Sequence, residues 1–185
     1  LIEELQSIYA RQYGVAIWIT DENGDLILEP KGDNSLFSML LRQEHGKMQD
    51  VLKKSIQKER SIKAPAFFDF LPGIYTLTSL ILTEDGERYQ VWVGMMIEEQ
   101  SQELLTKQLR VNYPEEENID SLLRKTPMIN ASNKREWLDW VEKFSTIATR
   151  ILSKGQESFR LAQNELFQKA VQKHKQSTKQ LLAFF

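Results

Sequence analysis

The chain contains no cysteine. This excludes disulfides, thiolate catalysis and cysteine-ligated zinc or iron–sulfur centres. Histidine is scarce: His45 and His174 lie far apart in sequence, and a metal site or a histidine-based triad would have to use one of them. No stretch approaches the ~20 apolar residues of a membrane span, and no charged-then-apolar leader precedes a small-residue cleavage site. Charge of one sign is lacking too. The 24 Lys and Arg against 26 Asp and Glu give a net charge of -2, which offers no footprint for nucleic acid or an anionic membrane surface. The chain starts at Leu1 and finishes on Leu-Leu-Ala-Phe-Phe, so both ends read as cuts in a longer polypeptide. A soluble, cytoplasmic fragment is expected.

What is present suits a packed domain: 185 residues, 41% of them hydrophobic and 27% charged, enough for one compact domain plus an extra element. Leu1, Ile2, Leu5, Ile8 and Tyr9 recur at helical spacing, and Gly14 stands where a helix-ending glycine belongs. VAIWIT (15–20) and LILE (26–29) flank DENGD, so Asn23-Gly24 predicts a hairpin with both central residues at positive φ. Asn34 or Ser35 is placed to cap a helix, and Leu36, Phe37, Leu40, Leu41, Met48, Val51, Leu52 and Ile56 continue helical spacing to about Arg60, interrupted by Gly46.

Three strands are expected next, at 67–70, 74–83 and 88–97, making five in all, mostly joined in an antiparallel manner. The last two are apolar on both alternating faces, so both faces need a cover. Leu104, Leu105 and Leu109 in 98–110, a short helix near 115–125, and a long helix from Ser132 or Asn133 supply it, the last through Trp137, Trp140, Val141, Phe144, Ile147, Ala148, Ile151 and Leu152. Past Gly155, the residues Phe167, Val171, His174, Thr178, Leu181 and Phe185 alternate steps of four and three. That is a heptad seam, from which a parallel homodimer is expected, weakened on protonation of His174 as pH falls toward ~6.5. The fold expected is α+β: one antiparallel sheet of about five strands, helices on both faces, and a protruding C-terminal helix.

Signs of catalysis are few. There is no Walker or dinucleotide loop among the eight scattered glycines. His45, in RQEHGKM, reads as a surface residue, and His174 lacks the acidic neighbour of a kinase phosphoacceptor, being followed by Lys175, Gln176 and Ser177. Glu98, Glu99 and Glu115–Glu117 could be paired acids, but they stand at helix starts, where the macrodipole favours negative charge. The residues suggest a ligand cavity instead. Trp92, Gly94 and Met96 share a face by strict alternation, and the missing side chain at Gly94 would leave room beside Trp92. Phe70 and Tyr75 would close the mouth, Trp18 would form a wall, and Thr76 or Ser79 would orient one polar group. A filled core under a helix is the competing reading.

A first helix leading into YGVAIWITDENGDLI, a helical insertion, and then PGIYTLTSLILTEDGERYQVWVGMMI resemble the sensory domains of the PocR-like family, relatives of the PAS and GAF sensors. In that family a hairpin strand opens the sheet, a Gly-rich strand closes it and helices follow, as in ELLTKQLRVNYPEEENIDSLLRKTPMI and EWLDWVEKFSTIATRIL here. The resemblance spans residues 1–152 and leaves 153–185 as a C-terminal helix, expected to serve as a coiled-coil linker toward an output domain. Many members carry cysteines in the insertion and just before the pair matched by Gly73-Ile74. This chain has Ser38, Met48 or Val51, and Phe70 or Leu71 there, so a metal or redox role for those cysteines is not available to it. The resemblance implies a bacterial sensor of a small organic molecule, without catalysis and without a cofactor, coupled to a kinase, cyclase, chemoreceptor or DNA-binding output. The alternative is a dimerisation or protein-interaction module with no ligand.

Overall fold

The structure is a computed structural model and describes residues 1–43, Asp50 and 64–155. The seam residues Phe167, Val171, His174, Thr178, Leu181 and Phe185, and likewise His45, lie outside the described residues, as does most of the helical stretch expected after Arg42.

Helix α1 (Ile2–Tyr13) ends at Gly14, which takes the left-handed conformation at φ 65° and donates its N–H to the Ala10 carbonyl. Strands β1 (Ala16–Asp21) and β2 (Leu26–Lys31) form the expected hairpin. Its turn differs from expectation: among the described residues none other than glycine has positive φ, so within the turn Gly24, at φ 88°, alone occupies that region. Asp21 builds the turn instead, its Oδ1 accepting from Asn23 N at 2.8 Å and from Asp25 N at 2.9 Å. Helix α2 covers 35–43. Asn34 caps it, Oδ1 accepting from Phe37 N at 2.9 Å.

Strands β3 (Ala66–Leu71), β4 (Ile74–Leu82) and β5 (Arg88–Glu98) follow. After a single 3-10 turn, Glu99–Ser101, come α3 (Gln102–Asn112), α4 (Ile119–Lys125), the two-residue strand β6 (Met128–Ile129) and α5, which runs over 134–155 within the described residues. The sheet order is β2-β1-β5-β4-β3, antiparallel throughout, and β6 adds to β5 in parallel. The sequence did not signal β6: it pairs Ile97 and Glu98, beyond the last β1 partner at Gly94, and so extends the same edge of β5.

Because β5 is central, residues 91–97 are all buried, which is why that strand is apolar on both faces. One face carries Ala16, Trp18, Phe70, Ile74, Trp92, Met95 and Ile97 under α2, α3 and α4 through Leu36, Leu40, Leu105, Leu109, Ile119 and Leu123. The opposite face carries Ile17, Ile19, Leu77, Ile81, Val91, Val93 and Met96 under α1 and α5 through Ala10, Trp140, Val141, Phe144 and Ala148. The two helices run antiparallel there: Tyr13 stacks on Trp140 at 4.4 Å between ring centroids, while Tyr9 meets Phe144 at 5.3 Å.

Alternation breaks within β5. Tyr75 pairs with Met96 and Leu77 with Val93, so two residues of β4 advance while three of β5 do. Gly94 and Met95 thus oppose Thr76 together as a bulge. Met95 joins Trp92 on one face, and Met96 moves to the other. The bulge leaves the Met95 carbonyl to be satisfied from outside the ladder, and Asn34 Nδ2 donates to it at 2.9 Å and to the Gly14 carbonyl at 3.2 Å. One asparagine therefore caps α2 and fastens it to the centre of the sheet.

Candidate functional site

The structure separates the eight residues expected to share a cavity. Trp18, Phe70 and Trp92 are together in one core, and Thr76 shares their face by alternation along β4. Tyr75 and Met96 belong to the opposite core, and alternation puts Ser79 there too. The expectation that Met96 sits beside Trp92 is therefore corrected: the bulge reverses the face of every β5 residue after Gly94.

The room expected at Gly94 is also absent. A Cβ there would lie 2.8 Å from the Thr76 methyl, closer than carbon atoms pack, so glycine is required for strand contact rather than for a ligand. Around it the face is filled. Trp18 and Trp92 are directly cross-strand and stack at 6.4 Å, Phe37 meets Trp18 at 4.9 Å, and Phe68 meets Trp92 edge-on at 6.5 Å. Trp92 Nε1 donates to Thr20 Oγ1 at 3.0 Å, which leaves the indole no polar atom to offer. Gln90 Nε2 donates to Thr78 Oγ1, and Thr78 Oγ1 donates to the Val91 carbonyl at 3.0 Å. The Thr76 hydroxyl is buried with no partner among the described residues.

A cleft of about 220 Å³ opens instead at one end of the other face, lined by Phe67, Tyr75, Glu98, Gln100, Ile129, Asn130, Ala131 and Lys134. Register explains its walls. Phe67 sits on β3 and Tyr75 on β4, their rings perpendicular at 6.3 Å. Glu98 lies two residues beyond Met96, the partner of Tyr75, and Ile129 of β6 pairs with Glu98. Four strands thus contribute to one corner of the sheet, and the first turn of α5 closes it, with Lys134 Nζ 5.2 Å from the Phe67 ring centre. That distance is within cation–π range.

The turn entering α5 is tightly bonded. Asn130 Oδ1 accepts from Ser132 N, Ser132 Oγ and Asn133 N at 3.0, 2.6 and 3.1 Å. Asn133 Oδ1 accepts from Asn130 N at 2.9 Å, and its Nδ2 donates to the Met128 carbonyl at 2.9 Å. Asn130 Nδ2 also donates to Glu99 Oε2 at 2.9 Å. The start of α5 is thereby tied to β6 and to the 3-10 turn, and both border the cleft.

Electrostatics divide the cleft. Burial, then the charges of Asp69 and Glu98, then a hydrogen bond with Asp69 push the Tyr75 phenol above its usual value, so it stays neutral at physiological pH. Glu98 Oε2 accepts from Ser101 Oγ at 2.7 Å, and Oε1 has no partner among the described residues. Lys134 forms no ion pair among the described residues. A second depression of about 470 Å³ lies between the two hairpin turns, lined by Asp21, Glu22, Asn23, Ile27 and Asp85–Tyr89. It is wide open to solvent, and Asp21 is already engaged by its own turn.

Of the expected site residues only Tyr75 lines the cleft. Phe67 lies in the strand expected at 67–70, and Glu98 is among the acids that stand at helix starts. The available signal is the single acid that ends β5 after the apolar run 91–97. Ile129 reaches the cleft through β6, which the sequence does not signal, and Lys134 through the first turn of α5. Among the described residues no group of three or more His, Asp or Glu is placed to hold a metal ion, and no helix is long and apolar enough to cross a membrane. No protein-family model, curated protein or solved structure matches this chain.

Proposed function

We propose that the chain is a cytoplasmic, non-catalytic sensory domain of a bacterial signalling protein, which binds a small organic molecule and relays its presence through the C-terminal helix. The observation carrying this reading is the position of the cleft: its occupant would touch β3, β4 and β5 on one side and Lys134, the first residue of α5, on the other. A ligand that favours one placement of α5 over another shifts the population of that placement by its differential affinity, which is all that a relay requires. The opening hairpin, the α2 insertion, the closing strand containing Gly94 and the helices after it fit the PocR-like resemblance in order. Pairing through Phe167–Phe185 remains part of this proposal.

The filled Trp92 face favours the second reading, a dimerisation or interaction module with no ligand. One experiment separates them. A panel of small organic molecules is screened by thermal shift against the full chain, with amide hydrogen exchange of α5 recorded for each hit. The sensory reading expects a saturable hit that Tyr75→Ala weakens and that changes exchange in 130–141. No hit, or a hit that leaves the α5 amides unchanged, sinks it in favour of the interaction module.

A further inference from the structure

The two charged side chains of the cleft have opposite signs and are not joined to each other, since no ion pair links Glu98 and Lys134 within 4.0 Å. Each has unused capacity: Glu98 keeps Oε1 free of partners among the described residues, and the Lys134 ammonium rests on the Phe67 ring face. Between them the floor is apolar and aromatic, made by Phe67, Tyr75 and the buried Ile129.

These facts restrict the occupant. At ~30 Å³ for each water-sized group, a volume of about 220 Å³ admits on the order of seven groups. That matches a compact molecule held wholly within the cleft, and a larger one would extend into solvent. A neutral apolar molecule would lie against two rim charges and make a contact with neither. A simple anion would satisfy Lys134 but face the carboxylate of Glu98. A simple cation would have the reverse problem. A compact molecule bearing both charges satisfies both ends at once.

We infer that the cleft takes a small zwitterion of the α-amino acid class with a short apolar side chain. Its carboxylate meets Lys134, its ammonium lies between Glu98 Oε1 and the Tyr75 ring, and its side chain packs on Phe67 and Ile129. The negative field of Asp69 and Glu98 around Tyr75 favours an ammonium at that end, and a neutral phenol ring offers it a π face. This inference rests on the sensory reading and gives it a ligand class.

The test is calorimetric titration of the full chain with L-valine and with three analogues that keep its isobutyl skeleton: isovalerate, isobutylamine and isobutanol. Valine is expected to saturate, with each analogue at least about tenfold weaker, since each forfeits at least one charge-assisted contact. Lys134→Met and Glu98→Gln, both at the rim and neither in the core, should each weaken valine by about tenfold or more, while Lys143→Met on the same helix should not. An analogue that binds as well as valine overturns the zwitterion assignment, as does valine binding indifferent to both rim variants, and either result leaves the sensory reading intact. Absence of valine binding likewise overturns the assignment. The sensory reading falls separately, if the broader panel gives no hit or only hits that leave the α5 amides unchanged. The analogue series needs the wild-type chain alone, so the test survives a variant that fails to fold.

Discussion

The two faces of the central sheet are built from the same strands yet end differently. On the Trp92 face three helices converge, the tryptophans stack, the indole N–H is bonded to Thr20, and the bulge at Gly94 brings Thr76 hard against the backbone. On the opposite face α1 and α5 cover the middle, but α5 begins too late to cover the corner where β3, β4 and β5 meet β6, and a cleft remains. An aromatic-rich strand face is thus no guide to a cavity. Coverage by the next layer decides, and coverage depends on where helices start.

The largest effect expected follows from that contrast. Trp92→Ala removes a fully buried indole together with its stacking and its hydrogen bond, and should cost about 3–5 kcal/mol. Phe67→Ala on the open corner removes a half-buried ring, and about 1 kcal/mol is expected from its partial burial. Urea unfolding of both variants measures the gap. Equal losses would mean that the two regions are packed alike, and the comparison would fail.

Next is Gly94→Leu. A Cβ 2.8 Å from the Thr76 methyl, with more carbon behind it, must displace a neighbour in a filled layer, so a loss of about 1–3 kcal/mol is expected. Adding Thr76→Ser, which takes away the obstructing methyl, should return part of the loss, and the coupling measured in a double-mutant cycle identifies the contact. Gly94→Leu tolerated without loss would show open space beside Trp92.

The same residues show how far sequence alone reaches. Gly14, the first hairpin, Asn34 as a cap, the strands around 67–97 and the two covering helix groups were all legible, because each rests on local chemistry or on periodicity. The hairpin turn was legible in place but not in geometry: Asp21 satisfies two turn amides by itself, so Asn23 has no need of positive φ. Tyr75 and Ser79 lie at odd offsets from Thr76 on β4, so alternation alone turns them to the opposite face, whereas Met96 is turned there by a bulge. Period-two counting assumes an unbroken ladder, and one extra residue at Gly94-Met95 reverses every later side chain. The cleft was hidden because β6 is only two residues long and α5 supplies Lys134 from far along the chain. Neither has a local signature.

A smaller effect is expected at Thr76. Its hydroxyl is buried without a partner among the described residues, and Thr76→Val keeps the shape while removing the unsatisfied oxygen. If the Trp92 face is a closed core, stability should rise by about 0.5–1 kcal/mol. A decrease in the urea midpoint would show that the hydroxyl has a use, and would return a ligand to that face.

The smallest effect belongs to the far end of the cleft-bearing face, where Tyr89 lies partly exposed. Its hydroxyl donates to Glu87 Oε2 at 2.6 Å. That bond first, then burial, then the charges of Glu87 and Asp21 push its phenol from 10.0 up to about 12. A raised acid favours the folded state while the phenol is protonated. The contribution is therefore whole below pH 10, where neither state ionises, and is lost between 10 and about 12 as the unfolded chain ionises first. Tyr75 is raised in the same direction at the cleft, so the two ends of this face share an alkaline weakness. Stability measured across that window should fall less steeply in Tyr89→Phe than in the wild type, with phenolate absorbance reporting one fewer late-titrating group. An unchanged alkaline slope in the variant would show that the Glu87 bond does not hold the phenol protonated.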